Sequence, residues 1–408
     1  MNPDAVTRRI AICAFIGGLG GGLVFPILPA LGLRLGIPAF MIGLILSGNR
    51  IARLIFNMPA GHLIGRLGPR LMLSMALLVE SVGVLAYSGA LHFGNAMWWL
   101  LGGRVLFGVG TAFSFVGAQA AVLSLSERAD RGRRISVVRV AMSASMPAGL
   151  VFGGILADVF SDEAAFLAGA AIALVGAVFA ALFLPPVSAR SGTRNASSME
   201  RGALAALLTS PNLKFLVAAW GFNLLIFLTM QGALLATMVL LVQRRDIHMF
   251  GMQAQGTSGL LMAVLVGCSA LVAYGIGRAI DAVPLRSTLL LPSLAGLACG
   301  FATLALAHTL WLALVGTVLV GVSYNGVTLP MLTLLGDVVS RRLNGPAVGV
   351  YQFFGDVGGT IGPIVGIEVG MNIGLMPLYI AIAVLPALAI PVTVWLRGQE
   401  QRLRAAGM

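Results

Sequence analysis

Residues 164–184 read AAFLAGAAIALVGAVFAALFL, an uninterrupted apolar run without a single charged side chain. About 20 apolar residues in a helix span the ~30 Å hydrocarbon core of a lipid bilayer. The run does not alternate apolar and polar residues as the strand of a membrane barrel does. It therefore predicts a transmembrane helix.

Eleven further stretches of similar length and character fill the rest of the chain. Composition agrees, because 58% of the residues are hydrophobic and only 10% are charged. We therefore predict an all-α membrane protein with twelve transmembrane helices, the other eleven spans being 10–33, 40–64, 71–91, 97–122, 135–157, 213–242, 251–277, 286–306, 309–334, 346–370 and 375–396.

The net charge of +12 comes from arginines concentrated in alternate gaps between the spans. By the positive-inside rule this places both termini and the long central loop in the cytoplasm. Nucleic-acid binding is not expected, since no basic domain lies outside the membrane. Arginine, alanine and glycine are plentiful while Lys214 is the only lysine, which indicates a GC-rich bacterial genome and a bacterial inner membrane.

A single long linker divides the chain into two sets of six spans. Pro185 and Pro186 end the sixth span, because proline removes a backbone donor and clashes with the preceding turn. We predict an N-terminal six-helix bundle over 1–184, a cytoplasmic loop over 185–211 and a C-terminal bundle over 212–408. Repeated halves are typical of secondary transporters, whose substrate site lies near the midplane between the repeats.

The cytoplasmic elbow after the second span carries Gly61, Arg66, Gly68 and Arg70, and Gly65 stands between them. This pattern is similar to the loop motif Gly-x-x-x-Asp-Arg-x-Gly-Arg-Arg of the major facilitator superfamily, with glycine in place of the aspartate. The elbow after the eighth span repeats it, with three matching positions: Gly277, Asp281 and Arg286.

Two more patterns extend the resemblance over essentially the whole chain. Arg104 begins an Arg-x-x-x-Gly-x-Gly-x-Ala pattern on span four, and Gly362-Pro363 on span eleven resembles the Gly-Pro motif of exporters. That motif belongs on span five in the family, where this chain has only a poor match. The resemblance implies two pseudo-symmetric six-helix bundles that alternate access to a central site, with Gly362 and Pro363 at a helix pivot.

Few ionisable side chains are predicted to lie within the bilayer, where a charge costs ~2.5–3.5 kcal/mol. The resemblance implies that spans two and eleven are neighbours, so we expect Asp356 to pair with Arg53 or Arg50 in one conformation and to bind a proton in another. A permanent structural ion pair is the alternative. Glu80 and Arg104 are further proton-coupling candidates, each with a structural role as its alternative.

Asn49, Arg53 and Asn57 follow one another at helical spacing and form a polar stripe, with Arg50 on the same side. Paired guanidinium groups suit a carboxylate or phosphate, and a cavity with excess positive charge selects against lipophilic cations. We assign substrate binding to this stripe and to four polar residues in the second half: Asn223, Gln231, Asn325 and Gln352.

Together these features predict a secondary active transporter that moves a small organic solute by alternating access, as proton-coupled efflux (antiport). Proton-coupled uptake or exchange of an anionic metabolite is the alternative, and a channel or a sensor stays open. The sequence shows no set of residues typical of an enzyme active site and no phosphate-binding loop. We therefore expect no catalysis and no cofactor or metal. The expected partners of a monomeric protein are its solute, protons and the lipid bilayer.

Overall fold

The computed structural model describes residues 3–125, 130–185, 205–339 and 343–405. Within these ranges the long elements are all helices. They are α1 Pro3–Leu23, α2 Leu28–Arg34, α3 Ala39–His92, α4 Ala96–Leu125, α5 Arg131–Val159, α6 Asp162–Phe183, α7 Leu213–Ile226, a π-helix Phe227–Leu234, α8 Leu235–Arg244, α9 Ala254–Ala282, a 3-10 turn Arg286–Leu289, α10 Leu290–Ala305, α11 Leu310–Val338, α12 Asn344–Asn372, α13 Leu375–Leu388 and α14 Ile390–Ala405.

The predicted all-α membrane architecture with twelve spans is confirmed. Eleven helical segments of the described chain are long and apolar enough to cross a membrane. The remaining predicted span corresponds to α12, whose 29 residues extend about 43 Å at ~1.5 Å per residue. This length exceeds the ~30 Å hydrocarbon core.

The first predicted span differs from expectation, because it is two helices rather than one. Residues 24–27 form turns between α1 and α2, where the Phe25 N–H donates to the Gly22 carbonyl at 3.2 Å. Pro26 has no backbone N–H and cannot continue the helical pattern, which explains the interruption.

The elbow between spans two and three is a kink within α3, where two helices meet at a residue with non-helical backbone angles. Gly68 has φ 71° and ψ 165° there, a conformation open almost only to glycine, and Pro69 follows it. Gly68 of the loop motif is therefore required by backbone geometry. The kink at Gly68 separates the helix of span two from the helix of span three.

The described chain divides into two compact units. Unit 1 comprises Met1–Arg194, Met238–Arg244 and His248–Ala263, and unit 2 comprises Asn195–Thr237, Arg245–Ile247 and Val264–Met408. In unit 1, α1 packs on α4, α5 and α6, while α3 packs on α4 and α6. In unit 2, α10 packs on α11 and α13, and α12 packs on α7 and the π-helix. The domain boundaries at 184 and 212 stay a prediction.

Glycines bring particular helices into backbone contact inside each unit. A Cβ atom on Gly149 of α5 would lie 2.1 Å from the Leu19 carbonyl oxygen of α1. In unit 2, a Cβ atom on Gly362 of α12 would lie 2.4 Å from the Leu228 carbonyl oxygen of the π-helix. Helices in lipid associate through such close packing of small residues, since hydrocarbon supplies no hydrophobic driving force between them.

Candidate functional site

Glu80 is a fully buried carboxyl group in the interior of unit 1. Its Oε1 accepts a hydrogen bond from the Ser114 hydroxyl of α4 at 2.6 Å, and its Oε2 has no hydrogen-bond partner among the described residues. Gly17 of α1 leaves room for it, because a Cβ atom there would lie 3.1 Å from Oε2. No basic side chain in the described ranges forms an ion pair with Glu80. The sequence located this acid within a span but could not identify its contacts.

Arg104 is also fully buried in unit 1, and its partners are mainly backbone carbonyls of α3. Its Nη2 donates to the Leu46 oxygen at 2.8 Å and its Nε to the Ile45 oxygen at 3.3 Å. Its guanidinium carbon lies 5.7 Å from the centre of the Phe25 ring. This geometry anchors α4 to α3, as the structural alternative requires, while its role in proton coupling stays a prediction.

The predicted polar stripe lies on α3 in unit 1. Asn49 accepts a hydrogen bond from Arg104 Nη2 at 3.4 Å. Its side-chain oxygen therefore helps to join α3 to α4. Arg50 is buried, and Asn57 is half-buried. Half-buried Arg53 places its guanidinium carbon 5.7 Å from the centre of the Phe115 ring of α4, and its Nε has no hydrogen-bond partner among the described residues.

Two of the predicted amides in unit 2 bridge neighbouring helices. Asn223 of α7 donates from Nδ2 to the Tyr351 oxygen of α12 at 2.6 Å. Asn325 of α11 donates to the Ser269 carbonyl oxygen of α9 at 2.6 Å. The Asn223 Oδ1 atom is buried without a hydrogen-bond partner among the described residues. These contacts fix the amides within unit 2, and their role in substrate binding stays a prediction.

The remaining predicted residues of unit 2 differ in exposure. Gln231 is half-buried in the π-helix, whereas Gln352 on α12 is exposed. Asp356, one turn further along α12, is 7% exposed. Because Arg50 and Arg53 belong to unit 1 and Asp356 to unit 2, the expected exchange of ion-pair partners stays a prediction.

The π-helix Phe227–Leu234 is a feature that sequence reasoning missed. π-helical turns are rare in proteins, and those that occur are often found at functional sites. The Thr229 hydroxyl donates to the Leu225 and Ile226 carbonyl oxygens at 2.8 and 3.3 Å. The apolar periodicity of the sequence gives no sign that the α-helix becomes a π-helix here. The Phe227 ring lies 6.3 Å from that of Tyr324, and the Trp220 ring stacks on Phe354 at 5.5 Å.

The loop-motif residues are described to different extents. The environments of Gly61, Arg66 and Asp281 lie outside what the structure describes. Arg70 is half-buried, and Gly277 has open space where a Cβ atom would stand.

Arg286 of the second motif copy forms an ion pair with Asp337 at 2.8 Å. Its backbone N–H donates to Glu400 of α14 at 2.8 Å, and the Ser287 N–H donates to the same carboxylate at 3.0 Å. Sequence reasoning missed Glu400, which attaches the C-terminal helix to this elbow.

The described residues contain no group of three His, Cys, Asp or Glu side chains that could hold a metal ion. Each unit contains its own set of the predicted polar residues. The unit 1 set has three buried ionisable groups, Arg50, Glu80 and Arg104, and the last two do not pair with each other.

Comparison with known proteins identifies the family. The model of the Major Facilitator Superfamily matches residues 10–363 and 250–406. Multidrug resistance protein 1 of Bacillus subtilis is 29% identical over 201 residues, which are 49% of each chain. The quinolone resistance protein NorA of Staphylococcus aureus is 24% identical over 156 residues, covering 38% of this chain and 39% of that protein. The chain thus spans about half the length of the curated relatives it matches, or less.

Solved structures agree in fold. The nucleoside transporter NupG superposes with a TM-score of 0.79 at 14% identity, covering 97% of this chain and 98% of NupG. A bacterial homologue of the human lysosomal transporter Spinster gives a TM-score of 0.77 at 13% identity, covering 97% and 96%. At such low identity the likeness shows the fold alone. With twelve spans and a family model that matches nearly the whole chain, this multi-pass membrane protein belongs to the major facilitator superfamily.

Proposed function

We propose that this chain is a secondary active transporter that exports a small organic solute in exchange for protons, by alternating access. It acts in a bacterial inner membrane with both termini in the cytoplasm, as the arginine distribution indicates. Export is supported by the relatives, which are named for multidrug and quinolone resistance.

The observation that carries proton coupling is the setting of Glu80. Its carboxyl group is fully buried, accepts one hydroxyl hydrogen bond and makes no ion pair within the described chain. A proton can therefore bind and leave without breaking an ion pair. Burying an ionised carboxylate costs free energy, so the protonated form is favoured while Glu80 is buried. A movement of α1 or α4 that admits water would favour the ionised form instead. Asp356 is the second coupling carboxyl group in this proposal.

Transport in proteoliposomes with an imposed pH gradient tests the proposal. A panel of lipophilic cations and aromatic anions serves as the probe set. Glu80→Gln and Asp356→Asn are compared with Glu368→Gln, which removes a half-buried carboxylate elsewhere on α12. We expect the coupling variants to lose gradient-driven flux yet keep solute exchange without a gradient. Gradient-driven flux equal to wild type in both coupling variants would reject the proposed coupling.

Uptake or exchange of an anionic metabolite is the second candidate function. It is favoured by Arg53, whose Nε has no hydrogen-bond partner in the described chain and whose guanidinium faces an aromatic ring. Such a group can bind a carboxylate through this donor. Flux measured separately in inverted and right-side-out vesicles distinguishes the two candidates, because export and uptake run in opposite directions through the same membrane.

A further inference from the structure

A small cavity of about 180 Å³ lies where the first turns of α1 and α5 meet in unit 1. It is lined by Asp4, Thr7, Arg8, Arg133, Arg134 and Val137. A water molecule occupies about 30 Å³ in the liquid, so the space is large enough for the phosphate of a lipid headgroup. None of these residues takes part in the proposed transport site.

The cavity is built around a buried cation. Arg134 is 8% exposed, and its Nη2 donates to Asp130 at 3.2 Å. Its Nε lies 3.5 Å from the Asp4 carboxylate but makes no hydrogen bond among the described residues. The Arg134 Nε is thus ion-paired with Asp4 but donates no hydrogen bond, and a guanidinium donor of this kind suits an oxyanion.

Two further arginines add positive charge to the same space. Arg133 donates to Asp4 at 3.0 and 3.2 Å, and Arg8 is exposed. Arg8, Arg133 and Arg134 carry three positive charges, and Asp4 and Asp130 carry two negative charges, which leaves one excess positive charge among these side chains. The planar guanidinium group of arginine can donate two parallel hydrogen bonds to the oxygens of a phosphate.

An apolar surface continues from the cavity along α5. Val137 lines the cavity and is 42% exposed, and Val140 is 68% exposed less than one turn further into the span. A basic headgroup site next to an exposed apolar helix face fits a molecule with an anionic head and a hydrocarbon tail. Basic pockets between transmembrane helices bind anionic lipid headgroups in this way.

From these contacts we infer that the cavity is a binding site for the phosphate group of an anionic phospholipid, with Arg134 and Arg8 as its cationic ligands. Asp4 pairs with Arg133 and Arg134 when the lipid is absent. The site holds lipid from the leaflet on the arginine-rich side of the membrane, and it does not depend on the direction of transport.

Native mass spectrometry of the purified full-length protein tests this inference, with phosphatidylglycerol or phosphatidylcholine added at known concentrations. We expect phosphatidylglycerol to bind wild type more tightly than phosphatidylcholine. Arg134→Gln and Arg8→Gln should each weaken it, Arg134→Gln about tenfold for the loss of a charge-assisted hydrogen bond. Asp4→Asn should strengthen binding severalfold, because it removes a competing carboxylate. Arg397→Gln, an exposed arginine outside the cavity, is the matched control and should change nothing.

The opposite signs for Asp4 and Arg134 separate a lipid site from a structural ion-pair cluster. Equal binding of phosphatidylglycerol by wild type and all the cavity variants would overturn the inference. If Arg134→Gln fails to fold, exposed Arg8 decides the question. Displacement of the lipid by inorganic phosphate would support a phosphate site whose natural occupant is a free anion.

Discussion

Replacing Gly149 with alanine is expected to separate α1 from α5. The new Cβ atom would stand 2.1 Å from the Leu19 carbonyl oxygen and 3.0 Å from the Leu23 nitrogen, where ordinary contact begins at 3.4 Å. These are backbone atoms, which cannot rotate away as a side chain could. The helix pair must therefore open by roughly 1 Å along this contact to accommodate one methyl group.

The magnitude follows from the geometry of the seam. A radial gap of ~0.5–1 Å forfeits a quarter to a half of the dispersion energy of each atomic contact. Gly22 of α1 lies in the same seam, since its own Cβ position is 2.3 Å from the Met146 oxygen, so the loss is not confined to one residue. We expect a destabilisation of about 1–3 kcal/mol, as for other overpacked sites.

The assay is thermal unfolding of the purified protein in a mild detergent. A loss of 1 kcal/mol lowers the midpoint by about 2–4 °C for a unit of this size. Gly102→Ala is the matched control, because its Cβ position on α4 meets no heavy atom within 4 Å. An unfolding midpoint for Gly149→Ala that equals those of wild type and Gly102→Ala would refute this reasoning.

Two other substitutions test the local geometry. Arg104→Lys should lower stability by about 1–3 kcal/mol, because an ammonium group cannot reproduce the planar fork that contacts two carbonyl oxygens of α3; Arg139→Lys at an exposed position should leave the unfolding midpoint unchanged. Gly68→Ala should cost about 1–3 kcal/mol through its positive φ, whereas Gly277→Ala, which has open space, should be neutral in the same unfolding assay. Equal midpoints within either pair would contradict the corresponding argument.

The helices were predictable because membrane insertion depends on local properties. A backbone in lipid must satisfy its own hydrogen bonds, so each apolar run of sufficient length becomes a helix. Even the elbow at Gly68 was marked in the sequence by its motif. The break at residues 24–27 and the π-helix at Phe227–Leu234 were not predicted, since both change the backbone pattern without changing apolar periodicity.

The candidate site was predictable only in part, because its contacts join residues far apart in the chain. Charge inside an apolar run was enough to select Glu80 and Arg104. The Ser114 hydroxyl that holds Glu80 is 34 residues away, and the Leu46 carbonyl that binds Arg104 is 58 residues away. Glu400 was overlooked for the same reason, since it contacts an elbow 113 residues earlier in the chain.

The sequence alone determined that this chain is a membrane protein, how many times it crosses the bilayer, and which few polar side chains lie within the spans. Hydropathy, charge and motif spacing are local quantities, and they suffice for these conclusions. Tertiary structure decided which of those polar groups meet a hydroxyl, a carbonyl or a ring, because glycine-mediated packing sets the faces that helices present to one another.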